Sequence, residues 1–548
     1  MVLMAAPRPL TVDDMHRFKD AADPRCSPEG KWVAYTLATA DTVADKQDTD
    51  IWMVSVDGKE RIRVTTSAEA ETSPRWSPDG RHLAFLSGRP GTGKDKDTQI
   101  WLLDRRGGEA QQLTDSKARL SGFEWAPDSR RMAVLLRDEE EDIKPLSEKD
   151  REKPRPIVID RYSFKRDGSG YLNGQKRTRI HLFDTETKKF GLLTSTDFDE
   201  AAPVWSPEGT RIAFASNHAQ DWDRVPSSGI FVVDAKAGAT PRKLTLFDGP
   251  DSNPVWSPDG KWIAYLKGSD HGLGEYNMTQ LALISAEGGA SRLLTSALDR
   301  GVSRHDFTSD GKALRFLVTD DMSVYLARVG VSGGAVERLT PGQRVLGAWD
   351  QAGGASVALV SSDNMAAELH VFEGGALRKL TGHNDELLAE LTFPVTDEVR
   401  FKAQDGNEVH GLLTKPTGYE AGRKYPLLLR IHGGPNGQDQ HEFQFEKQMF
   451  AAAGYAVLNV NYRGSNGRGQ QYTVSIAKDW GNKEVLDLLA GVDNVVASGV
   501  ADPAKLGGGG WSYGGILTDY LIATTTRFKA ATSGAGVAFP LAFYGHDQ

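Results

Sequence analysis

The 548-residue sequence predicts two folded units, an N-terminal seven-bladed β-propeller and a C-terminal doubly wound α/β domain with a mostly parallel sheet. A Trp-Ser-Pro-Asp-Gly phrase recurs with a period of about fifty residues through the first two thirds of the chain. After residue 381 the repeat stops, and strand-like apolar runs alternate with helical segments. These observations predict an N-terminal segment at 1–20, the propeller at 21–385 and the α/β domain at 386–548.

Each copy of the phrase is a turn that starts a strand. Its proline presets φ and its Asp-Gly pair makes a tight reversal, after which a short β-prone run follows. The copies are Cys26–Gly30, Trp76–Gly80, Trp125–Ser129, Trp205–Gly209, Trp256–Gly260 and the degenerate Phe307–Gly311, with Trp349 and Asp350 as a candidate seventh opening.

Each unit ends on an apolar residue followed by threonine. The seven pairs are Val64-Thr65, Leu113-Thr114, Leu193-Thr194, Leu244-Thr245, Leu294-Thr295, Leu339-Thr340 and Leu380-Thr381. Seven closures, each after about four short strands, predict seven propeller blades. The longest interval places an insertion from Asp138 to about Leu172 in the third blade, and its charge density is typical of a solvated loop.

Composition excludes several classes of function. The formal net charge of −9 and the isoelectric point of about 5.8 argue against a nucleic-acid-binding protein. No run approaches the roughly 20 apolar residues of a membrane span. The first ten residues lack the apolar core of a signal peptide, so we expect a cytoplasmic protein, with a periplasmic location as the alternative if a signal precedes them. The single cysteine, Cys26, predicts a small buried group, and we expect neither a metal nor a cofactor.

The α/β domain contains a predicted order of strands and helices. The strands are Val399–Ala403, Val409–Thr414, Pro426–Ile431 and Tyr455–Val460, and the helices are Phe443–Ala453, Val485–Ala497 and about Tyr513–Thr525. A glycine-rich strand precedes the last of these helices and leads into Gly-Trp-Ser-Tyr-Gly-Gly.

That strand–turn–helix context predicts a nucleophile elbow with Ser512 at its corner. A serine hydroxyl becomes nucleophilic only when a base takes its proton, and the developing oxyanion needs donors worth about 3 kcal/mol each. The amide of Tyr513 is one predicted donor. The second is the amide of Gly434, in the His-Gly-Gly-Pro turn after the third strand, while His432 itself is predicted to be structural.

The propeller, His432–Pro435, Asn461–Ser465 and the Ser512 elbow together resemble the prolyl oligopeptidase family, and within it the bacterial dipeptidyl aminopeptidase and acylaminoacyl peptidase branches. The resemblance implies an α/β-hydrolase fold and cleavage of short peptides through an acyl-enzyme on Ser512. It also implies that the propeller excludes folded proteins, with no nucleic acid, membrane or cofactor involved.

The resemblance further suggests which residues contact the substrate. Aromatic residues just after the strand that follows the elbow line the specificity pocket in related enzymes, and Phe539, Phe543 and Tyr544 occupy that stretch here. Apart from the resemblance, Arg161 and Tyr162, which follow the charged runs within the insertion, are candidates for contacting the substrate terminus from the propeller side.

Two departures from the family pattern affect the expected activity. Gly508 stands where the family keeps an apolar residue, at a cost of about 1 kcal/mol. The hydrolase order is Ser, then Asp or Glu, then His, whereas His546 and Asp547 follow Ser512 in the reverse order. We therefore expect a fragment of a longer reading frame, with a sheet incomplete at its C-terminal edge and little activity on its own.

Two alternatives remain at the level of sequence. One is a propeller that binds peptides or proteins without catalysis, and the other is a carboxylesterase on the same scaffold. The sequence leaves open whether single residues, dipeptides or acylated residues are released, or whether cleavage is internal.

Overall fold

The computed structural model describes residues 6–89, 98–138, 159, 161–166, 170–172, 176–225, 227–246 and 249–542. The insertion predicted from Asp138 to Leu172 separates the second and third strands of the third blade, as expected. Its acidic run after Asp138 lies outside the described residues, and so do Phe543, Tyr544, His546 and Asp547. Among the residues described, no helix is long and apolar enough to cross a membrane.

Seven four-stranded antiparallel sheets confirm the predicted propeller. The strands of blades 1 to 4 are Asp20–Cys26, Trp32–Asp41, Lys46–Ser55 and Arg61–Arg63; Glu71–Trp76, His82–Ser87, Gln99–Asp104 and Gln111–Gln112; Arg119–Trp125, Arg131–Arg137, Thr178–Asp184 and Lys189–Leu192; Glu200–Trp205, Arg211–Ser216, Gly229–Asp234 and Arg242–Lys243.

Blades 6 and 7 are joined by one parallel pair, Val324 with Val345, and the other five blades are separate sheets. The strands of blades 5 to 7 are Asp251–Trp256, Trp262–Lys267, Gln280–Ser285 and Arg292–Leu293; Val302–Phe307, Ala313–Asp320, Ser323–Gly330 and Glu337–Arg338; Val345–Ala352, Ala355–Ser362, Met365–Glu373 and Ala376–Lys379. Trp349 and Asp350 therefore lie in the first strand of blade 7, as the repeat predicted.

The tryptophan of the repeat links neighbouring blades. Trp76, Trp125, Trp205 and Trp256 each donate their indole N–H to a backbone carbonyl in the preceding blade, at 3.1–3.3 Å. The ring itself is buried at the end of the innermost strand. Because each ring both fills the space between two sheets and satisfies its polar atom, the residue type recurs in blades 2 to 5.

The closing threonine has an equally specific role. In six blades its hydroxyl oxygen accepts a hydrogen bond from a backbone N–H of the third strand, at 2.9–3.0 Å. In blade 3 the corresponding N–H, of Ile180, donates instead to the carboxylate of Glu200, which also contacts Thr194. The apolar-Thr pair therefore satisfies a buried strand donor, which explains its place in the repeat.

The ring closes by packing between the first and last blades. Strands from residues 20–55 and 355–371 share one hydrophobic cluster that includes Cys26, Tyr35 and Val357. Cys26 is buried, as predicted, and its backbone N–H donates to the carboxylate of Asp350.

The C-terminal domain contains a six-stranded mixed sheet. Its strands are β1 (Thr396–Lys402), β2 (Glu408–Thr414), β3 (Tyr425–Ile431), β4 (Ala456–Asn461), β5 (Ala501–Trp511) and β6 (Ala530–Gly534). The strand order is β1-β2-β4-β3-β5-β6, with three parallel pairs following the antiparallel pairs β1–β2 and β2–β4. In the described part of the chain, β6 is an edge strand.

Five helices accompany this sheet in the described residues. They are α1 (Asp385–Ala389), α2 (Phe445–Ala452), α3 (Gln470–Val474), α4 (Lys483–Ala497) and α5 (Tyr513–Thr524). Short 3₁₀ turns lie at Val12–Arg17, His271–Tyr276 and Pro540–Ala542, and two-residue strands lie at Arg8–Pro9, Lys165–Arg166, Gly170–Tyr171 and Leu391–Thr392. Apolar side chains of β3, β4, α4 and α5 form the largest cluster of the domain.

The two domains meet through the hairpins that join second and third strands of blades 6 and 7. Asp321 accepts from the Nδ1 of His410 at 2.7 Å, and Asp363 accepts from the Nδ1 of His441 at 2.7 Å and from Lys447 at 3.0 Å. His441 and Lys447 are both buried. These contacts fix the C-terminal domain over one part of the propeller rim.

Candidate active site

Ser512 occupies a sharp corner between β5 and α5. Its backbone has φ 58° and ψ −121°, a left-handed conformation rare for a residue with a side chain. Its N–H donates to the carbonyl of Gly534, and its own carbonyl accepts from Ile516 in the first turn of α5. The residue is exposed. Strand, strained corner and helix together form the predicted nucleophile elbow.

Glycine is required on both sides of this corner by close backbone contact. A Cβ on Gly510 would lie 2.8 Å from the carbonyl carbon of Gly514 and would also overlap the carbonyl oxygen of Ile431. A Cβ on Gly514 would overlap the same oxygen. The end of β3 and the first turn of α5 therefore approach each other across the elbow without side chains between them.

The His-Gly-Gly-Pro turn lies directly against Ser512. A Cβ built on Gly433 would be 3.4 Å from the Cβ of Ser512 and 3.0 Å from the carbonyl of Trp511. Gly434 is exposed, and no hydrogen bond engages its amide within the described ranges. Tyr513 is the first residue of α5, where a backbone N–H has no acceptor within the helix. The two predicted oxyanion donors thus belong to backbone segments on either side of Ser512.

His432 is buried and both of its ring nitrogens are engaged. Nδ1 donates to the carbonyl of Gly433 at 2.8 Å, and Nε2 lies 2.9 Å from the hydroxyl of Ser465. The ring stacks on Tyr462 at a centroid distance of 4.4 Å. Burial lowers the pKa of His432, which favours the neutral ring. These contacts are consistent with the predicted structural role.

Tyr513, the residue after Ser512, is anchored by side chains of α4 and of the segment before it. The hydroxyl of Tyr513 donates to the Oε1 of Glu484 at 2.6 Å, and the tyrosine ring meets Trp480 edge-on at 5.2 Å. Glu484 also accepts from the N–H of Gly481. Burial, together with the neighbouring carboxylate, raises the pKa of Tyr513 far above its ordinary value, so the phenol stays protonated.

The turn after β4 is fixed by ionic contacts. Arg463 forms two-pronged hydrogen bonds with Asp487 on α4, at 2.7–3.2 Å, and the carboxylate also accepts from the backbone N–H of Arg463. Asp487 is fully buried. The arginine of this turn therefore attaches the segment that contacts His432 to the helix that anchors Tyr513.

Among the described residues the hydroxyl of Ser512 has no hydrogen-bonding partner, so no base contacts it there. Of the predicted substrate-binding residues, Phe539 is exposed just beyond β6, while Phe543 and Tyr544 lie outside the described ranges. Arg161 and Tyr162 lie on the propeller, where Arg161 faces the ring of Trp222 and Tyr162 contacts Asp223. No described contact joins these two residues to the elbow.

An open groove of about 520 Å³ runs beside the elbow on the sheet. It is lined by the glycines of β5, by β6 and by α2, including Phe450. Gly508 lies within it, and a Cβ there would meet the ring edge of Phe528 at 3.3 Å. In the described part of the sheet, an apolar groove is therefore open beside the elbow.

Comparison with known proteins assigns this arrangement to a family. Residues 441–548 match the model of the prolyl oligopeptidase family, and residues 13–156 and 151–352 match the TolB beta propeller domain. The chain is 29% identical to the uncharacterized peptidase YuxL of Bacillus subtilis (strain 168), over 98% of this chain and 83% of the relative. The C-terminal domain belongs to the prolyl oligopeptidase family. It is a serine peptidase of that family, similar to dipeptidyl and acylaminoacyl peptidases.

Further comparisons agree with this family assignment. Dipeptidyl-peptidase 5 of Porphyromonas gingivalis is 27% identical, over 93% of this chain and 76% of the relative. The solved structure of Pyrococcus horikoshii acylaminoacyl peptidase superposes with a TM-score of 0.80, covering 96% of this chain and 79% of that chain at 24% identity. The structural likeness confirms the propeller and α/β-hydrolase fold.

Three residues of the site were not singled out from the sequence for any role. Tyr462 and Ser465 contact His432, and Glu484 anchors Tyr513. Tyr462 and Ser465 lie in the Asn461–Ser465 motif that carried the resemblance to the prolyl oligopeptidase family. The joint presence of that motif and His-Gly-Gly-Pro in the sequence could have indicated these contacts, because the two segments pack together in the fold.

Proposed function

We propose that the protein hydrolyses short peptides through an acyl-enzyme on Ser512, with the amides of Tyr513 and Gly434 stabilising the oxyanion. The observation that carries the proposal is the exposed Ser512 at a strained strand-to-helix corner, with Gly433 against its Cβ. A hydroxyl held at a helix N-terminus between unpaired amides suits the negative charge that develops during attack on a carbonyl.

The preferred substrates are short peptides with a free or acylated N-terminus. The names of the relatives, dipeptidyl-peptidase 5 and acylaminoacyl peptidase, support this class. The attachment of the C-terminal domain to the rim of blades 6 and 7 also supports it, because a propeller attached to the domain that carries Ser512 can restrict entry to small chains.

The rate of the 548-residue polypeptide by itself should be low. The described site supplies a nucleophile and two donors, whereas a base and an orienting carboxylate are also needed for a complete triad. His546 and Asp547 follow in the order opposite to that of α/β-hydrolases. We propose that turnover lies about 10⁴-fold or more below that of a complete triad, the residual rate coming from the oxyanion donors.

The test compares hydrolysis of dipeptidyl and acylaminoacyl anilides with that of short nitrophenyl esters. Ser512→Ala should abolish both, while the control Ser498→Ala, at the end of α4, should leave them unchanged. His546→Ala should have no effect on the residual rate. Activity that survives Ser512→Ala would refute the acyl-enzyme, and strong peptide binding without any Ser512-dependent hydrolysis would favour the non-catalytic propeller. Ester hydrolysis without anilide hydrolysis would favour the esterase.

A further inference from the structure

Blade 5 of the propeller inserts side chains into the core of the C-terminal domain. Its 3₁₀ turn, His271–Tyr276, joins the second and third strands of the blade. Tyr276 is buried in the apolar cluster formed by β3, β4, α4 and α5, and Leu273 packs against the same cluster. Two apolar side chains of the propeller therefore belong to the core that also contains Tyr513.

The turn is held on the C-terminal domain by Gln470, the first residue of α3. The side-chain amide of Gln470 donates to the main-chain carbonyl of Tyr276 at 2.7 Å. Its side-chain oxygen accepts from the N–H of Met278 at 3.1 Å and from the hydroxyl of Ser269 at 3.0 Å. The backbone N–H of Gln470 donates to the carboxylate of Asp299 at 3.0 Å. Contacts before and after Tyr276 thus fix its main chain, and its buried ring then places the hydroxyl.

The hydroxyl of Tyr276 holds the indole of Trp480, in the segment between α3 and α4. The Nε1–H of Trp480 donates to this hydroxyl at 2.6 Å. An indole has a single polar hydrogen, so this bond and the ring packing together determine the rotation of the ring. The next residue, Gly481, has φ 88°, and a Cβ there would overlap the ring of Tyr520 on α5. Trp480 therefore contacts the propeller, while its neighbour packs against the helix that begins at the elbow.

Trp480 in turn restrains Tyr513, whose amide is a proposed oxyanion donor. The two rings meet edge to face, with centroids 5.2 Å apart and planes at 90°, whereas Tyr462 lies farther from Tyr513, at 6.3 Å. Glu484 holds the phenol oxygen of Tyr513 and leaves the ring free to tilt about that point. The contact with Trp480 limits this tilt and with it the movement of the main chain. A displacement of about 1 Å at a catalytic group lowers rates by as much as roughly 100-fold.

We propose that Tyr276, a propeller residue, is a positioning residue for the oxyanion site: its hydroxyl holds Trp480 against Tyr513 and so keeps the Tyr513 amide directed at the substrate carbonyl. The proposal rests on the proposed acyl-enzyme function. It gives the propeller a role in the chemical step besides the restriction of substrate size, because one of its blades supports a group of the catalytic site.

Two tyrosines of blade 5 separate positioning from stability. Tyr276→Phe keeps the buried ring and removes the acceptor of the Trp480 indole. Tyr265→Phe is the matched control, because it removes a hydroxyl that donates to Ser291 at 2.6 Å within the propeller. Both substitutions take one hydroxyl from a buried tyrosine, so a role in stability alone would affect them alike.

The assay is acylation of the 548-residue protein by p-nitrophenyl acetate, followed as the burst of p-nitrophenolate, with Ser512→Ala as the blank. This leaving group needs no protonation, so the burst reports the oxyanion site without a complete triad. We expect Tyr276→Phe to fall about 10-fold in the acylation rate constant with an unchanged ester binding constant. Tyr265→Phe should stay within about 2-fold of wild type, because its hydroxyl bond does not reach the C-terminal domain.

A double-mutant cycle shows whether Tyr276 acts through Trp480. Trp480→Phe keeps an aromatic ring beside Tyr513 but has no N–H to donate. In that background Tyr276→Phe should change the acylation rate constant by less than about 2-fold, because the bond it removes is already absent. Additive losses from the two substitutions would contradict the proposed route.

A wild-type acylation rate in Tyr276→Phe, or equal losses in Tyr276→Phe and Tyr265→Phe, would overturn the proposal. If urea denaturation shows that Tyr276→Phe is unfolded, Gln470→Ala decides, since it releases the turn that carries the Tyr276 hydroxyl. A fall of about 10-fold in its acylation rate supports the proposal, and a wild-type rate contradicts it. A wild-type burst no larger than that of Ser512→Ala would instead refute the proposed function itself, so the two failures are distinguishable.

Discussion

Replacing Gly510 by alanine tests the geometry of the elbow. The added methyl would lie 2.8 Å from the carbonyl carbon and 2.9 Å from the Cα of Gly514, and would also overlap the carbonyl oxygen of Ile431. All three atoms are backbone, so β3 or α5 must shift by about 0.5–1 Å to restore ordinary contact. Such overpacking costs about 1–3 kcal/mol of stability, and the displaced nucleophile should acylate about 10- to 100-fold more slowly.

Gly508→Ala is the matched control, two residues earlier in the same strand. Its methyl would meet the ring edge of Phe528 at 3.3 Å and the carbonyl oxygen of Leu429 at an ordinary contact distance of 3.5 Å, and a ring can yield by a few tenths of an ångström. We expect its unfolding free energy within about 1 kcal/mol of wild type and a normal burst. Urea denaturation and the p-nitrophenyl acetate burst measure both quantities. Equal behaviour of the two variants would refute the reasoning, because it would show that the elbow does not depend on this close approach.

Three further predictions concern the scaffold. Thr295→Val should lower stability by about 1–3 kcal/mol by leaving a strand N–H unpaired, whereas Thr295→Ser should not; amide hydrogen exchange of blade 5 measures the difference. Trp256→Phe should cost about 1–2 kcal/mol in urea, because the hydrogen bond to the preceding blade is lost, and the exposed Trp262→Phe should cost little. Burial disfavours the charged form of His441, but its contacts with carboxylates, including Asp363, outweigh this and raise its pKa. The stabilisation from protonated His441 is therefore complete below about pH 6.5 and is lost as pH rises through its raised pKa. In urea denaturation, Asp363→Asn should destabilise the protein more at pH 6 than at pH 9. An equal loss of stability at both pH values would contradict the ion pair.

The propeller was predictable because its repeat encodes local geometry. Each proline and Asp-Gly pair specifies a turn, and each closing threonine specifies an acceptor, so counting them gave the number of blades. The partners of these residues were not predictable, since the indole of Trp76 bonds to a carbonyl 51 residues away in sequence. In blade 3 the acceptor is Glu200 and not Thr194, and no local sequence pattern predicts this difference either.

The elbow was predictable for the same reason: Ser512 lies between glycines in a strand–turn–helix sequence. The support of the site was not, because it depends on residues brought together by the sheet order. Ser465 reaches His432 across parallel strands β3 and β4, and Glu484 reaches Tyr513 from another helix. Asp321 and Asp363, which meet His410 and His441, come from the propeller, and no sequence pattern links these carboxylates to the two histidines.

The most direct test of the account is to locate the acyl group after reaction with p-nitrophenyl acetate. Acylation by this activated ester needs no protonation of the leaving group, whereas deacylation needs a base to activate water. At the incomplete site proposed above, the acyl-enzyme should therefore form faster than it breaks down, and peptide mapping by mass spectrometry should find close to one acetyl group per chain on Ser512. An acetyl group on another residue, or an equal burst from Ser512→Ala, would contradict the assignment of Ser512 as the nucleophile.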